Sequence, residues 1–172
     1  MNNYASSFKK YLKDLGKKEP APGGGSAISL LFCLGTALIE KAINYSVASQ
    51  KSLKVHLATL KNTRNKVSAY IDLDGEIFKQ ILQEKGKKKE RLLEKSEKIV
   101  LDIAQKCIEE YLLAKKIESA IKKNIISDFW IGCELLKITL KGCVMNLEAN
   151  SAIFGKKNKK VNEFKRVLKQ WQ

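Results

Sequence analysis

The sequence predicts an all-α protein: an antiparallel bundle of five to six helices, built as a single domain over residues 1–172. Three observations predict it. Long stretches carry no proline and are rich in leucine and lysine, both good helix formers, and the two prolines of the chain sit together at Pro20 and Pro22. Apolar residues recur at spacings that alternate between three and four, with no sustained period of two. Apolar residues make up 44% of the chain, enough for a packed core and too many for a disordered polymer.

The elements follow in order. Residues 3–16 read as a short amphipathic helix with Tyr4, Phe8, Tyr11, Leu12 and Leu15 on one side, ended by Gly16. Pro20-Ala21-Pro22-Gly23-Gly24-Gly25-Ser26 cannot continue a helix. It predicts a loop in which Ser26 caps the next helix. Three glycines leave the N–H groups at that helix start open to an anion or a polar ring; a plain flexible turn is the other reading. Helix two, 26–47, is apolar nearly all round as far as Ile39, as expected of a central helix. Glu40 and Asn44 share one of its faces.

Helix three spans about 52–84, with the seam Leu53, Leu57, Leu60, Arg64, Val67, Ile71, Asp74, Phe78, Ile81. Arg64 and Asp74 stand where the pattern wants leucine. A buried charge is costly unless paired or used. Ten residues of helix put about 15 Å between these two, so each needs a partner elsewhere, unless the seam is rotated enough to leave both in water. Helix four, about 89–121, places Glu110 on its seam, and the adjacent Glu109 suggests a solvated edge. Helix five, about 125–154, has one apolar stripe and one of small and polar residues: Asp128, Gly132, Leu135, Thr139, Gly142, Asn146. Glycine inside a helix costs about 1 kcal/mol relative to alanine, so two on one stripe indicate close approach of a helix or a flat ligand. Ser127 is the expected cap of this helix, with Asp128 in its first turn, where the dipole favours a carboxylate. Residues 158–172 read as a short basic helix with Phe164, Leu168 and Trp171.

The formal net charge of +15 favours anionic partners. The lysines cluster at helix ends and loops (Lys87 to Lys89, Lys122, Lys123, Lys156, Lys157, Lys159, Lys160) without interleaved aromatics, which argues against a nucleic-acid groove. Cys33, Cys107, Cys133 and Cys143 form no C-x-x-C pair and read as buried thiols of a reducing compartment. The run Ala27–Ile39 is shorter than the about 20 residues of a bilayer span, so a soluble, cytoplasmic protein is expected. No metal-ligand cluster is visible, and the lone His56 has a Lys- and Leu-rich surround. Helix two is apolar on more faces than one small subunit can cover, which predicts a homodimer.

The loop Pro20–Ser26, followed by Gly35, Leu38, Glu40, Asn44 and Ser46, resembles the signature of the formiminotransferase-cyclodeaminase C-terminal family, which includes stand-alone methenyltetrahydrofolate cyclohydrolases. Arg64, Asp72-Leu73-Asp74-Gly75-Glu76-Ile77-Phe78, Asn124-Ile125-Ile126-Ser127-Asp128 and Gly142-Cys143-Val144-Met145-Asn146 match its later motifs in order. The resemblance implies an all-helical subunit that dimerises, with a folate site at the interface. It implies a tetrahydrofolate derivative as substrate and no metal. The reaction would be that of a cyclohydrolase (a C–N hydrolase) or a cyclodeaminase (an ammonia lyase). Asp74 is the first candidate for the acid/base group and Asp128 the second. Gly23, Gly24, Gly25, Ser26, Glu40, Arg64 and Asn146 are the expected substrate-binding residues, Arg64 for a carboxylate or the glutamate tail. Two other classes compete: a diverged, non-catalytic helical homodimer and a basic nucleic-acid-binding bundle.

Overall fold

The computed structural model describes residues 3–155 and 158–171, the Phe154 side chain excepted; Lys156 and Lys157 of the basic run lie outside the described residues. Among the described residues there is no strand. The helices are α1 (Tyr4–Leu15), α2 (Gly24–Ser46), α3 (Lys54–Ser68), α4 (Tyr70–Gln83), α5 (Gly86–Ile117), α6 (Ile126–Phe154) and α7 (Lys160–Gln170). Helix three of the sequence analysis is thus two segments that meet at Ala69. That residue keeps right-handed helical angles, φ −66° and ψ −22°, and the Leu73 N–H still reaches its carbonyl at 3.3 Å. The Ser68 hydroxyl donates to the Asn65 carbonyl, competing with the backbone ladder at the break. Counted as rods, α3 and α4 are one, and the bundle has six.

The centre of the bundle is the antiparallel pair α2 and α6. Gly35 faces Gly132 so closely that a Cβ on Gly35 would lie 2.9 Å from the Gly132 carbonyl, and one on Gly132 would lie 2.8 Å from the Gly35 carbonyl. Along the same contact, Gly142 abuts Ile28 and Asp128 meets Lys41. The small-residue stripe of α6 is therefore used for close helix packing. Phe32, Ile39 and Ile43 of α2 and Phe129, Leu136 and Leu140 of α6 are fully buried around it, each worth about 1.5–3 kcal/mol of burial. The antiparallel α4 and α5 cover one flank through Ile77, Ile81 and Ile103. At the far end α7 folds back, burying Phe164 and stacking Trp171 on Tyr111 with ring centroids 4.0 Å apart.

α2 is long and apolar enough to cross a membrane by length and composition, yet half of its most apolar window is buried inside the subunit. α1 buries no residue fully.

Candidate active site

α2 does not start at a serine cap. Gly23 is the N-cap and makes no side-chain capping bond; Ser26 lies inside the first turn and is fully buried. The expected cap is corrected on physical grounds: the open N–H end of α2 is met from another helix. The carboxyl of Asp74 of α4 faces the Ser26 backbone N–H. It fills the place where a side chain on Gly25 would begin, 2.3 Å from Oδ1 to an ideal Cβ. Gly25 is thus needed for close approach. The Ser26 hydroxyl lies 3.2 Å from Tyr11 Oη of α1, and Asn146 of α6 comes to 4.0 Å from the Cβ position of Gly24. Gly24, Gly25, Ser26, Asp74 and Asn146 therefore meet at one end of α2.

Burial raises the Asp74 carboxyl above its ordinary value, and the Ser26 N–H opposes this in part. A carboxyl with a raised pKa at a helix N-terminus can exchange a proton nearer neutrality than a free aspartate.

The other predicted residues lie elsewhere. Arg64 forks onto Glu40, Nε to Oε1 at 2.7 Å and Nη2 to Oε2 at 3.2 Å. The partner that its seam position demanded is thus on α2. Glu40 is fourteen residues past Ser26, about 21 Å along the helix. Asp128 sits in the first turn of α6 and binds Lys41 Nζ at 2.6 Å. α6 begins at Ile126 with Ile125 as N-cap and no side-chain cap, so Ser127 is not the cap that the sequence suggested. Within one subunit Asp74 and Asp128 stand near opposite ends of α2 and cannot reach one reacting atom.

Glu110 departs furthest from expectation. It is no solvated edge: it is 5% exposed, its Oε2 lies 2.5 Å from the Thr36 hydroxyl, and its Oε1 is buried without a hydrogen-bond partner. Burial pushes its pKa up to about 8, against the opposing bond from Thr36. Its place on an apolar seam was the available signal. The cysteines are free. Burial pushes Cys33 and Cys133 up to about 11, so neither offers a thiolate at neutral pH.

Two hollows border α4, the helix that carries Asp74. An open cleft of about 760 Å³ lies between α1, the proline-glycine loop and α4, lined by Lys10, Tyr11, Pro22, Ser26, Gly75 and Lys79 among others. A smaller one of about 320 Å³ lies between α4, α5 and α6. Among the described residues no group of three or more His, Cys, Asp or Glu could hold a metal ion.

The fold is that of a known enzyme. A formiminotetrahydrofolate cyclodeaminase from Thermotoga maritima superposes with a TM-score of 0.77 at 16% sequence identity, over 94% of this chain and 84% of that one. No curated protein matches the sequence. The family model described as formiminotransferase-cyclodeaminase matches residues 7–169, and with the glycine-rich helix start, Asp74 and Asn146 gathered at one end of α2, the chain belongs to that family.

Proposed function

We propose that the protein is a soluble, cytoplasmic folate one-carbon enzyme, a methenyltetrahydrofolate cyclohydrolase or a formiminotetrahydrofolate cyclodeaminase. The single observation that supports this best is the half-buried Asp74 carboxyl seated on the Ser26 N–H at the open start of α2. In the cyclodeaminase direction the second folate nitrogen attacks the formimino carbon. The N–H proton of that folate nitrogen passes to the imino nitrogen, Asp74 gives it a second proton, and the C–N bond to it breaks, releasing ammonia and leaving the methenyl cation. In the cyclohydrolase direction water adds to the methenyl carbon. Asp74 takes one of its protons as the C–O bond forms; one ring C–N bond then breaks as the remaining hydroxyl proton leaves and the freed nitrogen takes up a proton, giving the formyl product. Either role needs a carboxyl that both holds and releases a proton near neutral pH.

Homodimerisation fits the outer face of the α2–α6 pair. Leu34 and Tyr45 of α2 and Ile131, Ile138 and Met145 of α6 are each at least 42% exposed, and they lie on adjacent antiparallel helices. Such a face suits a second copy.

A second reading, a folded homodimer without chemistry, draws on the ion pairs. Arg64 and Asp128, both expected at the substrate, are engaged by Glu40 and Lys41. An absorbance assay separates the two. Wild-type protein is expected to consume methenyltetrahydrofolate, or to form it from the formimino substrate with release of ammonia. No turnover of either compound, by protein that binds them, overturns the enzyme reading in favour of the second.

A further inference from the structure

We propose that Tyr11 of α1 is a positioning residue for the candidate active site. Its hydroxyl, hydrogen-bonded to the buried hydroxyl of Ser26, fixes the first turn of α2 and with it the backbone N–H that the Asp74 carboxyl faces. The inference rests on the reading of Asp74 as the proton-transferring group and adds what holds that group's neighbour in place. Three observations carry it.

The first is the composition of the turn. α2 begins Gly24-Gly25-Ser26 after the N-cap Gly23, which makes no side-chain capping bond. The Ala27 N–H is tied inside the helix, to the Gly23 carbonyl at 3.0 Å; the N–H groups before it have no partner of that kind. Glycine loses more conformational freedom on folding than any other residue, and glycines carry no side chain by which a neighbour can hold them. Within this turn, Ser26 supplies the side chain through which another helix can fix it.

The second is how Ser26 is held. It is fully buried, and its Oγ lies 3.2 Å from Tyr11 Oη. A buried hydroxyl needs a hydrogen-bond partner, and Tyr11 supplies it from α1. The Asp74 carboxyl meets the same residue at its backbone N–H. Ser26 therefore joins two helices, its side chain toward α1 and its main chain toward α4.

The third is how Tyr11 is presented. Tyr11, Asp14 and Leu15 are the residues of α1 that are not fully exposed, at i, i+3 and i+4 on one helix face. Asp14 turns to Lys17 just past its own helix, at 2.6 Å, whereas Tyr11 reaches across to α2. Its ring lines the open cleft together with Ser26. Two influences act on the Asp74 carboxyl: burial, which raises its pKa, and the Ser26 N–H, which opposes that. None of the charged groups of the cleft adds to these, neither Lys10, Lys17 and Glu19 across from α4 nor Asp72, Glu76 and Lys79 on it. Phenylalanine at position 11 keeps the ring, and so the burial, while it removes the hydroxyl. A loosened turn then presents its N–H less well, burial is less opposed, and the Asp74 pKa rises.

The test follows the Asp74 carboxyl by carbon-13 NMR titration, its resonance identified by its loss in Asp74→Asn. The proteins are wild type, Tyr11→Phe, Ser26→Ala and the double variant. Ser26→Ala keeps the backbone N–H and removes the other half of the same hydrogen bond. Turnover of methenyltetrahydrofolate and of the formimino substrate is measured on the same proteins. Each single variant is expected to raise the Asp74 pKa, and the double variant to raise it no further than either, because both act through one bond. For the substrate that wild type consumes, kcat is expected to fall by up to about 10²-fold, with KM unchanged, since the displaced group acts in turnover and not in binding. An Asp74 titration that is the same in Tyr11→Phe as in wild type overturns the positioning role and, where wild type is active, leaves the enzyme standing. A Tyr11→Phe shift that persists in full on the Ser26→Ala background overturns the route through Ser26. The expected shifts in protein that turns over neither compound keep the positioning role and overturn the enzyme reading.

Discussion

The two ends of α2 use carboxylates in opposite ways. At its start, Asp74 meets a backbone N–H and, among the described residues, no cation, and burial raises its pKa. Toward its other end, Glu40 is forked onto Arg64 and Asp128 onto Lys41. A carboxylate held by a cation at hydrogen-bond distance is fixed in position, which suits holding helices in place. One held by a neutral donor in a half-buried niche keeps its proton chemistry available. On the proposed function, reactivity lies at the start of α2 and cohesion in the remainder. Glu110 tests that division, because it lies on the cohesive side and yet has no cation within hydrogen-bond distance.

The largest expected effect is on stability, at Glu110. Its pKa is raised from an ordinary 4.5 to about 8 in the folded chain, so folding favours the protonated form. The stability this group contributes is complete below about pH 4.5 and falls as the unfolded chain ionises while the folded one does not. It is gone above about pH 8, with a slope of at most about 1.4 kcal/mol per pH unit between. Glu40, Lys106 and Glu109 also act on this carboxyl, Lys106 in the opposite direction to the two glutamates. Glu110→Gln keeps an acceptor for Thr36 and cannot ionise. Denaturant titrations from pH 5 to 9 are expected to show the wild-type slope and a flatter variant. Identical slopes would mean that the buried carboxyl is ionised in the folded state, with a charge compensated by some other group.

Next is Asp74. Asp74→Asn preserves shape and can still accept from the Ser26 N–H, but it cannot exchange a proton at neutral pH. Turnover is expected to fall about 10²-fold or more while folate affinity survives. Equal turnover of variant and wild type removes Asp74 from the chemistry. Gly25→Ala sharpens the same point from the other helix. Its new Cβ would fall 2.3 Å from Asp74 Oδ1, so the carboxyl must move. A shift of about 1 Å can cost up to about 10²-fold in rate. The variant is expected to fold and to lose turnover, by less than Asp74→Asn, since the displaced carboxyl still holds a proton. Full activity in Gly25→Ala would show that the placement of the carboxyl is unimportant.

The fold was legible because its signals are periodic. Seams at spacings of three and four located every rod, and the glycines at 132 and 142 announced a close approach that the α2–α6 contact uses. The break at Ala69 left no comparable mark, since the chain stays helical through it. The site was legible in part. Asp74 and Arg64 were found because a charge on an apolar seam requires a partner, but the identity of the partner is tertiary information: nothing local to Arg64 names Glu40, twenty-four residues away. Ser26 was misread for a related reason. A local serine cap is the usual solution at a helix start, whereas here a carboxylate from α4 supplies the acceptor. Glu110 was misread because its neighbour Glu109, which is exposed, suggested that both face water; adjacent helix positions point about 100° apart, and only one of the two does.

The smallest expected effect is at Asp128, and it bears most directly on the comparison. Asp128 has two structural reasons to exist. It lies in the first turn of α6, where the helix dipole favours a carboxylate by about 0.3–1 kcal/mol. It also pairs with Lys41, whose side chain is 50% exposed, and an exposed pair of that kind adds little to stability. Asp128→Asn removes the charge, keeps the shape, and is expected to lower stability slightly with turnover per folded molecule unchanged. Lys41→Met removes the same ion pair from the other side and leaves the dipole contribution in place, so its stability loss is expected to be smaller. A large loss of turnover in Asp128→Asn without a matching loss in Lys41→Met would break the division between the two ends of α2. It would mean that Asp128 acts on substrate. Since Asp74 lies near the opposite end of the same helix, such a site would have to be completed by Asp128 of a second copy, docked on the exposed α2–α6 face.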